Sequence, residues 1–217
     1  MSRVAIIGGH GKVALHLTKI LTGQGHQVSS IFRNPDHSSD VEQAGATPVV
    51  ADVSKLSVSD MADVFRGHDA VVWSAGAGGS SADATYAVDG AAAIRSMDAA
   101  EVASVGRYVM VSYLGAGKDH GVPEDNSFFP YAEAKAAADE HLRNSKLAWT
   151  ILGPGALTTD PGTGAIEVSD KPQQDSVPRE DVALVAAVVL GNLGTVDKTI
   201  QFNSGETPVA EAIEAAL

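Results

Sequence analysis

The chain has 217 residues, with 15 Lys+Arg against 27 Asp+Glu and a formal net charge of −12, a length that suits one domain. Hydrophobic residues make up 44% and charged ones 19%, which excludes a disordered chain, while the acidity argues against a nucleic-acid or anionic-membrane partner. Cysteine is absent, which removes disulfides, thiolate metal sites and Cys nucleophiles.

Short, β-branched and nearly continuous apolar runs alternate with longer amphipathic stretches. In chain order, residues 4–7 predict a strand, 12–22 a helix, 28–32 and 48–51 two strands, 59–65 a helix and 70–74 a strand. Then follow a long helix over 85–105, a strand at 108–112, a helix over 131–144 and a strand at 149–152. A helix over 180–190, a last strand at 199–203 and a helix over 208–217 close the chain. Strands without polar alternation read as buried on both faces, and strand–helix–strand repetition predicts right-handed crossovers. The expected fold is α/β: a doubly wound parallel sheet in a three-layer sandwich, forming one domain over residues 1–217. Residues 115–129 and 153–178, rich in Gly, Pro, Asp and Ser, read as loops after the fifth and sixth strands, where such sheets place ligands. Residues from about 153 onward are expected to contribute a small substrate-side lid. The amino terminus breaks into glycine too early for a signal peptide. The longest apolar run, residues 182–190, is far shorter than the ~20 residues of a membrane span. A cytoplasmic protein is expected.

The first strand runs into Gly8-Gly9-His10-Gly11-Lys12-Val13-Ala14 and then a helix. Gly8 allows a sharp turn, Gly11 lets backbone approach a pyrophosphate, and Ala14 lets the helix pack closely on the strand. The helix start offers free N–H groups to the anion, so the segment predicts a dinucleotide site. An NAD-preferring site would carry an acid near the end of the second strand to bind the ribose 2′-hydroxyl. Arg33 stands there instead, and Lys12 stands in the loop, so NADP(H) is expected, with NAD possible. Asp52-Val53 closes the third strand, where an acid could accept from an adenine amino group. Ser74-Ala75-Gly76-Ala77 closes the fourth with small residues. His10 is expected to present only its backbone.

Tyr131 and Lys135 are four residues apart on a predicted helix and so share a face. A Lys ammonium beside a Tyr would lower a phenol whose ordinary pKa is near 10, and Lys135 could also hold nicotinamide-ribose hydroxyls. Ser112, at the end of the fifth strand, could hydrogen-bond the substrate oxygen whose proton Tyr131 exchanges. The seven His residues show no metal-ligand spacing, so no metal site is expected. No Gly-x-Ser-x-Gly elbow of a hydrolase is present.

With these residues in place, the chain resembles an atypical member of the short-chain dehydrogenase/reductase superfamily, close to small NmrA-like and epimerase-like proteins. The resemblance rests on Gly8 through Ala14, Arg33-Asn34-Pro35, Asp52-Val53, Val88-Asp89-Gly90-Ala91, Val111-Ser112 and Tyr131 through Lys135. Pro154-Gly155-Ala156-Leu157 and Arg179-Glu180-Asp181-Val182-Ala183 complete it. It implies a Rossmann fold, Ser112, Tyr131 and Lys135 as the catalytic set, and Pro154, Gly155, Ala156 and Leu157 beside the nicotinamide. Gly153 stands where the family usually has Arg, which weakens substrate inference by analogy. Only about 60 residues follow the sixth strand, too few for the substrate domain of a sugar-nucleotide epimerase. The expected activity is NADP(H)-dependent oxidoreduction of a small carbonyl or alcohol. A non-catalytic NADP(H)-binding redox sensor and an epimerase or isomerase are the alternatives. The sequence leaves the substrate and the oligomeric state open, a monomer included.

Overall fold

The structure is a computed structural model that describes residues 1–169 and 175–217. Its first half comprises β1 (Arg3–Ile7), α1 (Lys12–Gly23), β2 (Gln27–Phe32), α2 (Ser38–Gln43), β3 (Thr47–Val50), α3 (Val58–Phe65) and β4 (Ala70–Trp73). The second half comprises α4 (Ala82–Thr85), a π-helical segment Tyr86–Ala92, α5 (Ala93–Val102), β5 (Arg107–Val111), α6 (Phe129–Arg143) and β6 (Ala148–Pro154). The remainder holds β7 (Ala156–Thr158), β8 (Ala165–Val168), β9 (Ser176–Pro178), α7 (Arg179–Gly191), β10 (Lys198–Ser204), β11 (Thr207–Pro208) and α8 (Val209–Ala215).

The main sheet runs β11-β8-β10-β6-β5-β4-β1-β2-β3, with β7 and β9 paired separately. Strands β1 to β6 and β10 are all parallel, and β8 runs antiparallel to β10. Pleating explains the two cores. Val4 and Ile6 face Leu17, Leu21, Val182 and Phe202 on the α1/α7 side. Ala5 and Ile7 face Met61, Phe65, Trp73 and Met97 on the α3/α5 side. With helices covering both faces, the molecule is the expected three-layer Rossmann sandwich. The order of strand addition reverses between the parallel neighbours β1 and β4, and a crevice opens beyond the carboxyl ends of these strands, as the topology requires.

Two expectations are corrected. The single helix over 85–105 is in fact α4, a π-helical segment and α5 in succession. The π-helical segment turns Asp89 inward, where its carboxylate accepts the Ala77 N–H at 3.0 Å; π-segments commonly mark functional positions. The stretch 153–178, expected as loop, carries the end of β6 and strands β7, β8 and β9. These strands are three or four residues long, too short for period-2 patterning to show among the flanking Gly and Pro. Part of that expected loop, residues 170–174, lies outside the described residues. Helix α2 was not expected.

Candidate functional site

β1 ends in a turn that only glycine accommodates easily. Gly8 has φ +80°, and a Cβ there would lie 2.6 Å from the Ala75 Cα. Gly8 and Gly9 both donate N–H bonds to Ile31 O at 2.9 Å, and Gly11 donates to Gly8 O at 2.7 Å. This locks the loop against β2 and aims it at α1. The N-cap of α1 is Gly11, which has no side chain to cap the helix, and the first turn holds no acidic residue. The N–H groups of that turn therefore remain available to an external anion.

A cleft of about 390 Å³ opens at this loop. It brings together the loop residues Gly8, His10 and Gly11, then Arg33 after β2, Asp52 and Val53 after β3, and Ser74, Ala75, Gly76 and Ala77 after β4. Residues that neighbour one another here are dozens of positions apart in sequence. Asp52 accepts from the Ser54 hydroxyl at 2.6 Å and from the Ser54 N–H at 3.1 Å. These bonds hold its carboxyl below the usual range, so it is an ionised acceptor on the cleft wall. Arg33 is exposed at the rim and makes no ion pair among the described residues. The wall also holds His37, Ser80 and Ala84, which the sequence reading did not assign to the site. His37 stacks on His10 with ring centroids 3.6 Å apart, and His10 Nε2 meets Asp40 Oδ2 at 2.9 Å. No sequence spacing signals that stack, because its two residues come from different strand ends.

Two loop residues face elsewhere. Val13 is buried in the α1/α7 core. Lys12 lines a separate depression with His16, Lys19 and Arg179. Pro154 and Gly155 are buried, and Ala156 and Leu157 are exposed on β7. A Cβ on Gly155 would lie within 2.4 Å of the Asp175 backbone oxygen and collide with the Asn203 side chain, so this glycine serves chain packing.

The proposed proton-handling residues lie at the carboxyl end of β5 and on α6. Tyr131 lines a hollow beside the cleft, with Phe128 and the Gly78-Gly79 turn. Its ring lies 5.2 Å from Phe128 and 5.5 Å from Tyr113. Burial raises its phenol, and the carboxylates of Asp89 and Asp139 push the same way. The net effect is upward, whereas the sequence reading had Lys135 lowering it. Lys135 is only 1% exposed and donates to Val111 O at 2.9 Å and Met110 Sδ at 3.1 Å. Ser112 is buried, and its hydroxyl donates to Asp139 Oδ2 at 2.5 Å. Asp139 was missed, although its position four residues beyond Lys135 was a readable signal.

The fold and this cleft define a Rossmann protein built to hold a dinucleotide. A family model described as NAD(P)H-binding matches residues 8–192, and the chain belongs to that family, as an atypical member of the short-chain dehydrogenase/reductase superfamily. It is 32% identical to the uncharacterized sugar epimerase YhfK of Bacillus subtilis (strain 168), over 98% of this chain and 99% of that protein. A solved structure from Bacillus halodurans, assigned by name as an NAD-dependent epimerase/dehydratase, is 33% identical. It superposes with a TM-score of 0.91 over 99% of this chain and 100% of its own. The oxidoreductase ylbE of Lactococcus lactis is 29% identical, with a TM-score of 0.88 over 98% and 95% of the two chains.

Proposed function

We propose that this protein is an NADP(H)-dependent oxidoreductase acting on a small carbonyl or alcohol. The observation that carries the cofactor preference is Arg33, a cation with no ion-pair partner among the described residues, on the rim of the cleft where an NAD-selective site would carry an acid. The uncapped start of α1 would receive the pyrophosphate, Asp52 would accept from the adenine, and the small residues after β4 would flank the chain of the dinucleotide. When bound, the reduced nicotinamide supplies hydride. Tyr131 holds its proton on Oη, since burial and two carboxylates oppose the phenolate; that is the form able to give a proton to a carbonyl oxygen. Lys135 supplies positive charge beneath the site, and Ser112 supplies a hydroxyl beside it.

Calorimetric titration tests the cofactor. NADP⁺ is expected to bind more tightly than NAD⁺, and Arg33→Ala is expected to weaken NADP⁺ about 10- to 100-fold. That range corresponds to the ~1.5–3 kcal/mol of a charge-assisted contact, and NAD⁺ affinity should change by less than about threefold. Equal affinities in the wild type would refute the preference. A carbonyl panel then tests turnover, with Tyr131→Phe expected to abolish it. The naming of two relatives as epimerases supports a second reading, in which the cofactor is recycled without net oxidation. Epimer formation with no net change in NADPH absorbance would favour it. Intact binding with no turnover on either test would favour a redox sensor.

A further inference from the structure

Tyr131, Lys135 and Asp139 lie four residues apart on one face of α6. Beneath the hollow at Tyr131, three ionisable side chains are sealed from water: Lys135 at 1%, Asp89 at 1% and Asp139 at 0% exposure. Both carboxylates act electrostatically on the Lys135 ammonium. Each also has one oxygen, Asp89 Oδ1 and Asp139 Oδ1, without a hydrogen-bond partner.

Counting charge decides what this cluster must contain. Two ionised carboxylates against one ammonium leave a buried negative charge uncompensated, at a cost of several kcal/mol. One proton shared into the cluster removes it. Asp89 is the poorer place for that proton, because its Oδ2 accepts the Ala77 backbone N–H, a donor that cannot reverse. The partner of Asp139 is the Ser112 hydroxyl, which can either donate or accept.

We propose that Asp139 is a positioning residue that holds this proton and thereby sets the hydrogen-bonding sense of Ser112. The inference rests on the oxidoreductase reading above. With Asp139 protonated, its carboxyl donates to Ser112 Oγ, and the Ser112 proton is free to hold a substrate carbonyl oxygen. With Asp139 ionised, its Oδ2 accepts the Ser112 hydroxyl hydrogen bond, and Ser112 offers only lone pairs, which suit an alcohol; the 2.5 Å separation serves either sense. Burial raises the Asp139 carboxyl, opposed by Lys135, the Ser112 hydrogen bond and Arg143. The groups facing it are Lys135, Arg143 and Tyr131 on α6, Tyr108 within β5, and Ser112 and Tyr113 just after it.

Carboxyl ¹³C NMR of Asp-labelled protein across pH reads the proton directly. Loss of the signal in Asp139→Asn assigns it, and Ser112→Ala assigns it independently if the first variant does not fold. Asp139 is expected to titrate well above the ordinary range near ~3.9, and higher still in Ser112→Ala. A carboxyl that titrates within or below the ordinary range overturns the proposal. On any carbonyl substrate found, kcat should fall as pH rises through the same midpoint. Asp139→Asn, an uncharged stand-in for the acid, should lose that limb while KM for NADPH stays within about threefold. Persistence of the limb in Asp139→Asn also overturns it. Failure of NADPH to bind would refute the oxidoreductase reading instead, and the NMR titration would still judge Asp139.

Discussion

Among individual residues, Gly8 shows how a backbone conformation becomes a binding requirement. Its φ of +80° lies where a side chain costs about 1–2 kcal/mol. The added Cβ would also meet the Ala75 backbone at 2.6 Å, and backbone cannot rotate away as a flexible side chain can. Gly8→Ala is therefore expected to lower stability by about 2–4 kcal/mol, or roughly 4–16 °C in Tm, and to remove cofactor binding. Gly78 is the control: its φ is +66°, yet nothing lies within 4 Å of the Cβ position. Gly78→Ala should cost only the conformational part. Equal melting temperatures for the two variants would show that the contact with Ala75 relaxes freely.

At the scale of an element, α6 carries its chemistry on the same face that packs it. Ala132, Ala138 and Leu142 are buried beside Lys135 and Asp139, so the ammonium is part of the core as well as the site. Lys135→Met keeps the volume but leaves the buried Asp89–Asp139 pair, which shares one proton and one negative charge, without its cation. Burial already raises both carboxyls. Their favourable contribution is thus present below the unfolded carboxylate range and is lost as pH rises through the folded values. Removing Lys135 raises them further. The variant should lose little stability in acid and about 3–5 kcal/mol at neutral pH. Thermal melts across pH check this, and a loss that shrank as pH rose would contradict the ionised pairing. The π-helical segment belongs to the same scale, since it supplies Asp89 to that cluster.

Across the whole molecule, Arg107 ties the later strands to the last large helix. It is 6% exposed and donates to Ala148 O at 2.7 Å, Val189 O at 3.0 Å, Thr150 Oγ1 at 2.5 Å and Thr195 Oγ1 at 2.9 Å. These acceptors belong to β6, α7 and the turn before β10, far from the cleft. Arg107→Met would leave buried carbonyls without donors, at about 1–3 kcal/mol each. A fall on the order of 10 °C in Tm is expected, with cofactor affinity unchanged at a temperature where the variant is folded. Weakened affinity under those conditions would mean that this anchor also shapes the cleft.

Much of this architecture was legible along the chain. Continuous Val/Ile/Leu/Ala runs separated by helical stretches specify a parallel sheet covered on both faces, because strands buried twice over have no polar positions to alternate. The glycine spacing at Gly8, Gly11 and Ala14 and the absence of an acid at Arg33 are local facts, so they could be read before folding. The broken helix at Tyr86–Ala92 and the short strands after β6 could not, since their hydrogen bonds come from distant segments. Which way Lys135, Ser112 and Lys12 point is likewise a matter of packing. Residue identity and order determined the fold class and the dinucleotide loop. Only the tertiary structure, by burying Asp89, Lys135 and Asp139 together away from water, decided how charge and protons are distributed in the site.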